Sequence, residues 1–382
     1  MELLARYLER TDRPVYALVR ARDADEARSR LAAAARTVVP DADRYSDRLV
    51  AVRGDVKEPG LGLEPGRREL LAEQVSEIVH SAASVSFTLP LGAAWAINVD
   101  GTRRVLELAE LCAMRGGGLR RLSHVSTAFV AGTHAGTFAE HDLDRGQSFR
   151  NTYERTKWEA ERLVRERVES LPITVFRPSI VVGEQRSGWT PAFNVMYGPL
   201  RAFERGSVTV VPGRRSARVD VVPAGYVADA IFELSSRPDA EAQTYALAAG
   251  PRASNVGELI DLAAAAFSRR RAVALRPTLY RRAVHAWLLR RSSGSKRRWL
   301  ERAEMYFPYF DVRTRFETAR AREALEPAGI RVPPLRDYFH TLVSFAVAAQ
   351  WGRRRLTRME AAAVMEGQRG ERLASRLEPL SA

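Results

Sequence analysis

The fold is decided by LRRLSHVSTAFV, residues 119–130, read together with YERTKWEAE, residues 153–161. Leu119–Val125 is an apolar strand pattern that leads directly into two hydroxyl side chains, Ser126 and Thr127. Tyr153 and Lys157 stand four residues apart, one helical turn, and therefore share a face. A lysine charge beside a phenol is expected to lower the phenol's pKa from its reference value of about 10. A phenol tuned in this way exchanges a proton near neutral pH, and a strand-end hydroxyl can hold the same substrate oxygen. This set of groups is equipment for hydride chemistry at a carbonyl and makes the chain an oxidoreductase candidate.

Working outward, Val15–Val19 (VYALV) reads as a short buried strand followed at once by Arg20 and Arg22. Leu49–Arg53 is a second strand, ending in Gly54 and Asp55. Glu77–His80 is a third, followed by the small residues Ser81, Ala82 and Ala83, and Ile173–Phe176 ends in Arg177 and Pro178. Helical patterns over Asp23–Arg36, Trp95–Met114 and Tyr153–Ser170 lie between them. Apolar strands alternating with helices predict an α/β fold with a doubly wound parallel sheet. Right-handed crossovers would gather the strands' carboxyl ends on one edge, where ligands bind. After Gly183 the texture changes. Val208–Val211, Val219–Val222 and Gln243–Ala248 read as strands, Ala224–Ser235 and Asn255–Ser268 as helices. We therefore expect a dinucleotide-binding domain over 1–183, a smaller substrate-binding region over 184–345 and a charged, partly frayed helical tail over 346–382.

Composition narrows the class. The single cysteine, Cys112, cannot form an internal disulfide, which suits a reducing cytoplasm and excludes a cysteine zinc cluster. Met1–Asp12 is charged throughout and lacks a signal peptide's apolar core. No window reaches ~18 uninterrupted apolar residues, so no membrane span is expected. The formal charge of +14 is concentrated late in the chain. No nucleic-acid recognition motif accompanies it. Two readings stay open: attraction to an anionic cofactor, substrate carrier or membrane surface, and a solvated basic surface. The same pair applies to Arg269–Trp299, where Trp287, Leu288 and Leu289 sit among arginines. That segment is either an amphipathic surface helix or a peripheral membrane contact over residues 281–299. His80 and His124 belong to no convergent ligand set and are expected to pack rather than bind metal.

A dinucleotide site of this architecture normally opens with a strand, a glycine-rich turn and a helix. No such turn precedes Val15. Met1–Leu8 reads as a helix with Leu4 and Leu8 on one face, and Gly116–Gly117–Gly118 follows a helix and precedes a strand. The expected sheet is thus Rossmann-like with its first strand missing: either the chain starts at an internal methionine, or it is natural and binds its cofactor poorly or not at all. The missing neighbour would leave Val15–Val19 with an unpaired flank.

The segments VYALVRA, VRGDV, VHSAASVSF, NVDGTRRVLELA, LSHVSTAFVAG, YERTKWEAE, FRPSIVVGE and VDVVPAGYVADA fall in order over roughly residues 15–230. This set resembles the extended short-chain dehydrogenase/reductases. Through VHSAASVSF, HVSTAFVAG and the late run MYFPYF it is most similar to their fatty acyl-CoA reductase and thioester-reductase, or male-sterility, branch. The resemblance implies Tyr153 as proton donor and Lys157 as holder of the nicotinamide ribose. It implies Thr127 at the carbonyl oxygen with Ser126 as its understudy, and Asn98 in a water relay. It further implies Asp55 and Val56 at the adenine, Arg20 at a 2′-phosphate, Ala82 and Ala83 along the cofactor path, and Pro178 and Ile180 beside the nicotinamide. The residues alone leave blander roles open: Thr127 as a loop cap, Asn98 as a helix N-cap, Asp55 as a turn residue, Arg20 as a solvated charge.

The expectation is an NADPH-dependent reductase, NADPH being favoured over NADH. It would act on a long acyl thioester carried by coenzyme A or an acyl carrier protein, giving an aldehyde and then, with a second hydride, an alcohol. Helices Trp95–Met114 and Tyr153–Ser170 would offer a homodimer face of the kind relatives use. Rivals are an epimerase or dehydrogenase of a sterol or nucleotide sugar, and a non-catalytic cofactor-sensing scaffold. Intact Tyr153, Lys157 and Thr127 weigh against the scaffold.

Overall fold

Apolar β-branched runs set the strands. The computed structural model describes residues 1–115, 118–193 and 195–377. Strands β1 (Val15–Val19), β2 (Leu49–Arg53), β3 (Glu77–His80) and β4 (Arg121–Val125) precede the short β5 (Gly136–Phe138) and then β6 (Ile173–Phe176). β7 (Ile180–Val182), β8 (Val210–Pro212), β9 (Arg218–Val219), β10 (Val221–Pro223) and β11 (Thr244–Tyr245) follow. The helices that position the site are α1 (Glu2–Arg10), α2 (Ala24–Val38), α3 (Pro65–Gln74), α4 (Leu91–Asn98), α5 (Asp100–Met114), α6 (Thr152–Arg165), α7 (Tyr197–Glu204), α8 (Ala224–Ser236) and α9 (Val256–Ala266).

The central sheet is parallel with order β11-β6-β4-β3. His80 pairs with His124, and Val125 with Phe176. Helices cover both faces. His80 reaches Thr102 of α5, whereas Ser123, one residue before its cross-strand partner His124 and so on the opposite face of the pleat, hydrogen-bonds Ser235 of α8 at 2.7 Å. This is the doubly wound α/β arrangement expected from the alternation of strands and helices. One apolar core, with Leu106, Ala109, Leu122 and Ile173, lies under α3 and α5. Another joins Leu200 and Phe203 of α7 to Ile260 of α9 and to Phe339 and Leu342 of the helix Leu335–Ala348.

The sheet is split. β1 pairs in parallel with β2, and among the described residues this ribbon has no backbone ladder to β3 or β4. The flank of β1 away from β2 is unpaired, as the sequence predicts. Helix α1 packs instead on α8, with Tyr7 against Phe232 at 5.3 Å between ring centroids and Arg6 paired with Asp229 at 3.1 Å.

Other boundaries move. The long pattern Trp95–Met114 breaks at Val99 into α4 and α5. Asn98 therefore closes α4 instead of capping α5. α6 ends at Arg165, not Ser170. The run Val219–Val222 divides into β9 and β10, because Val219 and Val221 bond different partners, Ser254 and Ile180. The tail forms one helix, Arg358–Leu377, whose Ala361 and Met365 are buried, so its first turns are packed and not frayed. Of the three-glycine run, Gly116 and Gly117 lie outside the described residues.

Candidate active site

Thr127 leaves β4 in extended conformation and caps the turn Ala128–Ala131 through its hydroxyl, which accepts from the Phe129 amide at 3.3 Å. The same hydroxyl donates to the Pro178 carbonyl at 3.4 Å and bears on the Tyr153 phenol. Tyr153 sits in the first turn of α6, which Asn151 caps by accepting from the Glu154 amide at 3.0 Å. Strand end and helix start thus bring Thr127 and Tyr153 together, as their spacing predicts.

The electrostatics differ from the expectation. The Tyr153 pKa is raised: burial dominates, the Glu154 charge adds to it, and the Thr127 hydrogen bond offsets them in part. Lys157 does not acidify the phenol, because its ammonium points to the strand and donates to the Val125 carbonyl at 2.8 Å. Burial lowers the Lys157 pKa to about 8 against the opposing pull of Glu161. A phenol held protonated at neutral pH is a hydrogen-bond and proton donor, the role a reduction needs.

Two further residues of the expected site are held by neighbours. The Ser126 hydroxyl donates to Glu161 Oε2 at 2.6 Å and is committed there, so it cannot stand in for Thr127. Glu161 is fully buried and also binds Arg177 and Arg165. Burial would raise its carboxyl; Arg177 and Arg165 outweigh this and hold it below its ordinary value. This cluster ties α6 to β4 and β6 beneath the site. Asn98 is buried with both ends of its amide engaged: Oδ1 accepts from the Ser84 amide at 2.8 Å, and Nδ2 donates to the Ser84 carbonyl at 3.2 Å and to Thr156 Oγ1 at 2.9 Å. It fixes the loop after β3 against α6, with both amide protons and one Oδ1 lone pair engaged.

A residue the spacing does not reveal completes the site. Tyr309, in the turn Glu304–Asp311, donates its hydroxyl to the buried Glu154 at 2.7 Å and accepts from Asn151 at 2.7 Å. Phe87 stacks on Tyr309 at 5.1 Å and lies 5.9 Å from Tyr153. The sequence carried one signal, the aromatic run MYFPYF, with no role attached.

The family model described as male sterility protein, an NAD-binding family, matches residues 1–231. The chain belongs to that family. A fatty acyl-CoA reductase of Drosophila melanogaster is 32% identical over 217 residues, 50% of this chain and 41% of the fly protein. A non-canonical nonribosomal peptide synthetase of a Cladobotryum species is 25% identical over 341 residues, 84% of this chain and 32% of its own length. The chain thus spans less than half of these curated relatives. Among solved structures, the terminal R domain of the myxalamid PKS-NRPS pathway superposes with a TM-score of 0.79 at 27% identity, covering 92% of this chain and 88% of that one. A nonribosomal peptide synthetase reductase domain from Mycobacterium tuberculosis shares the fold, with a TM-score of 0.68 at 23% identity, covering 92% of this chain and 88% of that one. The male-sterility chain therefore has the short-chain-dehydrogenase type of reductase fold that its motifs resemble.

The strand-end edge of this fold carries the residues that the resemblance places along a nicotinamide dinucleotide. Arg20 follows β1, is exposed, and among the described residues its guanidinium has no ion pair, while Arg22 is held by Glu26 at 3.0 Å. Ala82 is exposed and Ala83 half-buried just beyond β3. Asp55 closes a turn by accepting from the Lys57 amide at 2.9 Å, the blander of its two roles, and Val56 packs on Gly101. Pro178 is buried beside Thr127, and Ile180 is half-buried at the head of β7. Among the described residues no glycine-rich turn faces the space between β1 and β3.

Ile180 and Tyr309 also line a cavity of about 340 Å³. Its wall is aliphatic and aromatic, with Leu200, Phe203, Val211 and Ile260 among the lining residues.

Proposed function

We propose that this chain is an NADPH-dependent reductase of acyl thioesters with long apolar acyl groups, carried on coenzyme A or a carrier protein. The observation that carries the reading is the apolar cavity, joined to the Tyr153–Thr127 pair through Tyr309 and Phe87. Such a lining suits an alkyl chain and offers a nucleotide sugar almost no hydrogen-bond partners. Arg20 supports the phosphate-bearing dinucleotide, since its exposed guanidinium, without an ion pair among the described residues, matches phosphate geometry. The fly acyl-CoA reductase and the synthetase reductase domains support the thioester class.

Bound at this edge, the reduced nicotinamide supplies one hydride to the thioester carbonyl carbon. Thr127, turning its hydroxyl away from the long 3.4 Å bond to the Pro178 carbonyl, and Tyr153 would hold the carbonyl oxygen and donate hydrogen bonds to the oxyanion that develops there, where fixed donors contribute most. The raised Tyr153 phenol keeps its proton until the alkoxide forms and then delivers it. Collapse of the thiohemiacetal breaks the carbon–sulfur bond, releasing a thiol and an aldehyde. The aldehyde presents a second carbonyl to the same two hydroxyls; once Tyr153 is reprotonated from solvent, a second hydride, from an NADPH exchanged for the spent cofactor, makes the alcohol.

The test is NADPH oxidation by the purified chain across a chain-length series of acyl-CoAs, with released thiol counted. We expect acyl-dependent oxidation that rises with chain length. The ratio of NADPH consumed to thiol released separates aldehyde from alcohol. Tyr153→Phe is expected to lower kcat by about 10²–10⁴ while NADPH binding persists. Acyl-independent NADPH loss, or none, would remove the thioester reading.

A further inference from the structure

The segment 269–302 holds twelve of the chain's lysines and arginines and one acid, Glu301. It folds as consecutive helical pieces over Pro277–Leu279, Tyr280–His285 and Ala286–Arg290, then the helix Gly294–Ala303. The inner side is anchored. Tyr280 and His285 meet Phe307 at 5.2 and 5.0 Å, and His285 pairs with Glu304 at 2.7 Å. Tyr280, Leu300 and Ala303 form part of the cavity wall.

The outer side is different. Leu279 is 53% exposed, Trp287 56% and Trp299 42%, with Val273 at 58% just ahead of them. These are four of the twelve large apolar side chains exposed among the described residues, and they include both exposed tryptophans. Arg281, Arg282, Arg290 and Arg298 stand around them, exposed and without an ion pair among the described residues. Arg291 lies over the Trp287 ring at 5.4 Å. Unneutralised cations interleaved with tryptophan and leucine are the composition of a surface that lies in a lipid–water interface.

We infer that the outer face of 273–299 docks on an anionic phospholipid bilayer, arginines at the headgroups and Leu279, Trp287 and Trp299 below them. Charge complementarity selects an anionic partner, and the exposed indoles and leucine select one with an apolar phase to enter. Among the described residues no helix is long and apolar enough to cross a membrane, so the contact is peripheral. Because the same hairpin walls the cavity on its inner side, docking places that wall against the lipid. This inference does not depend on the chemistry proposed above.

Co-sedimentation of the whole chain with vesicles tests it. Phosphatidylcholine vesicles with about one third phosphatidylglycerol are compared with pure phosphatidylcholine, at low and high salt. We expect binding to the anionic vesicles only, weakened by salt, with a blue shift of tryptophan emission. Arg281→Glu with Arg282→Glu is expected to lower partitioning by roughly tenfold or more. Leu279→Ser with Trp287→Ser should weaken binding and remove most of the emission shift, with thermal unfolding unchanged. Failure of the wild-type chain to bind anionic vesicles would overturn the inference, as would equal binding to neutral vesicles. So would an acidic carrier protein occupying the face while vesicles are ignored.

Discussion

Lys157 keeps its charge against burial, and this gives the site a defined pH limit. Its pKa of about 8 lies below the ordinary lysine value, so the ammonium is present below pH 8 and lost as pH rises through it. The charge is what holds a dinucleotide ribose in the proposed role. The apparent affinity for NADPH should therefore fall as pH rises through about 8. Lys157→Arg should keep its affinity past that pH, and Lys157→Met should be weak and flat; a pH series of KM for NADPH checks all three. At this scale the sequence was legible where the rule is local. Tyr153, Lys157 and Thr127 are fixed by helix spacing and by the end of a strand. The partners of Ser126 and Asn98 were not legible because they come from elsewhere: Glu161 is 35 residues from Ser126, and Thr156 is 58 from Asn98. The tyrosine's raised pKa was invisible for the same reason, since burial belongs to the folded chain.

Strands β3 and β4 place two histidines side by side under α5 and α6, with ring centroids 5.4 Å apart. Burial and the Lys157 charge lower His80 to about 3, and push His124 well below its ordinary value with His80 adding to the effect. Both are neutral in the folded chain, whereas unfolded they titrate near 6.5. The unfolded chain then binds more protons below that pH, so stability is full above about 6.5 and declines as pH falls toward 3. The loss attributable to His80 should be on the order of 5 kcal/mol at the acid limit. His80→Gln should flatten the acid limb of denaturant-midpoint measurements, although it also disturbs the 2.9 Å bond to Thr102. A limb of unchanged slope in both His80→Gln and His124→Phe would show that other groups govern acid unfolding. The four strands β1, β2, β3 and β6 were readable to the residue because each is a short run centred on aliphatic, mostly β-branched residues and bounded by charged, proline or small residues. β9 and β10 were read as one strand, since a change of partner leaves no mark in the local pattern.

In the whole molecule the β1–β2 ribbon and the four-stranded sheet hang together by side chains and helices, not by a shared backbone ladder. Local opening free energy follows such coupling. Amides of β1 and β2 should exchange with solvent well before those of β4 and β6, both flanked by neighbours. A hydrogen-exchange map showing equal protection would mean that the ribbon opens only with the rest. The turn Glu304–Asp311 has the opposite character. Through one phenol it ties residue 309 to Asn151 and Glu154, at the root of the helix that carries Tyr153. The first two thirds of the chain, which hold Thr127, Tyr153 and Lys157, are therefore not autonomous. Trading the last third for that of a relative would transplant a new acyl-chain wall only if the donor also brings a hydroxyl to meet Asn151 and Glu154. Without it, a chimaera would inherit a buried carboxylate short of a donor and a loosened catalytic helix.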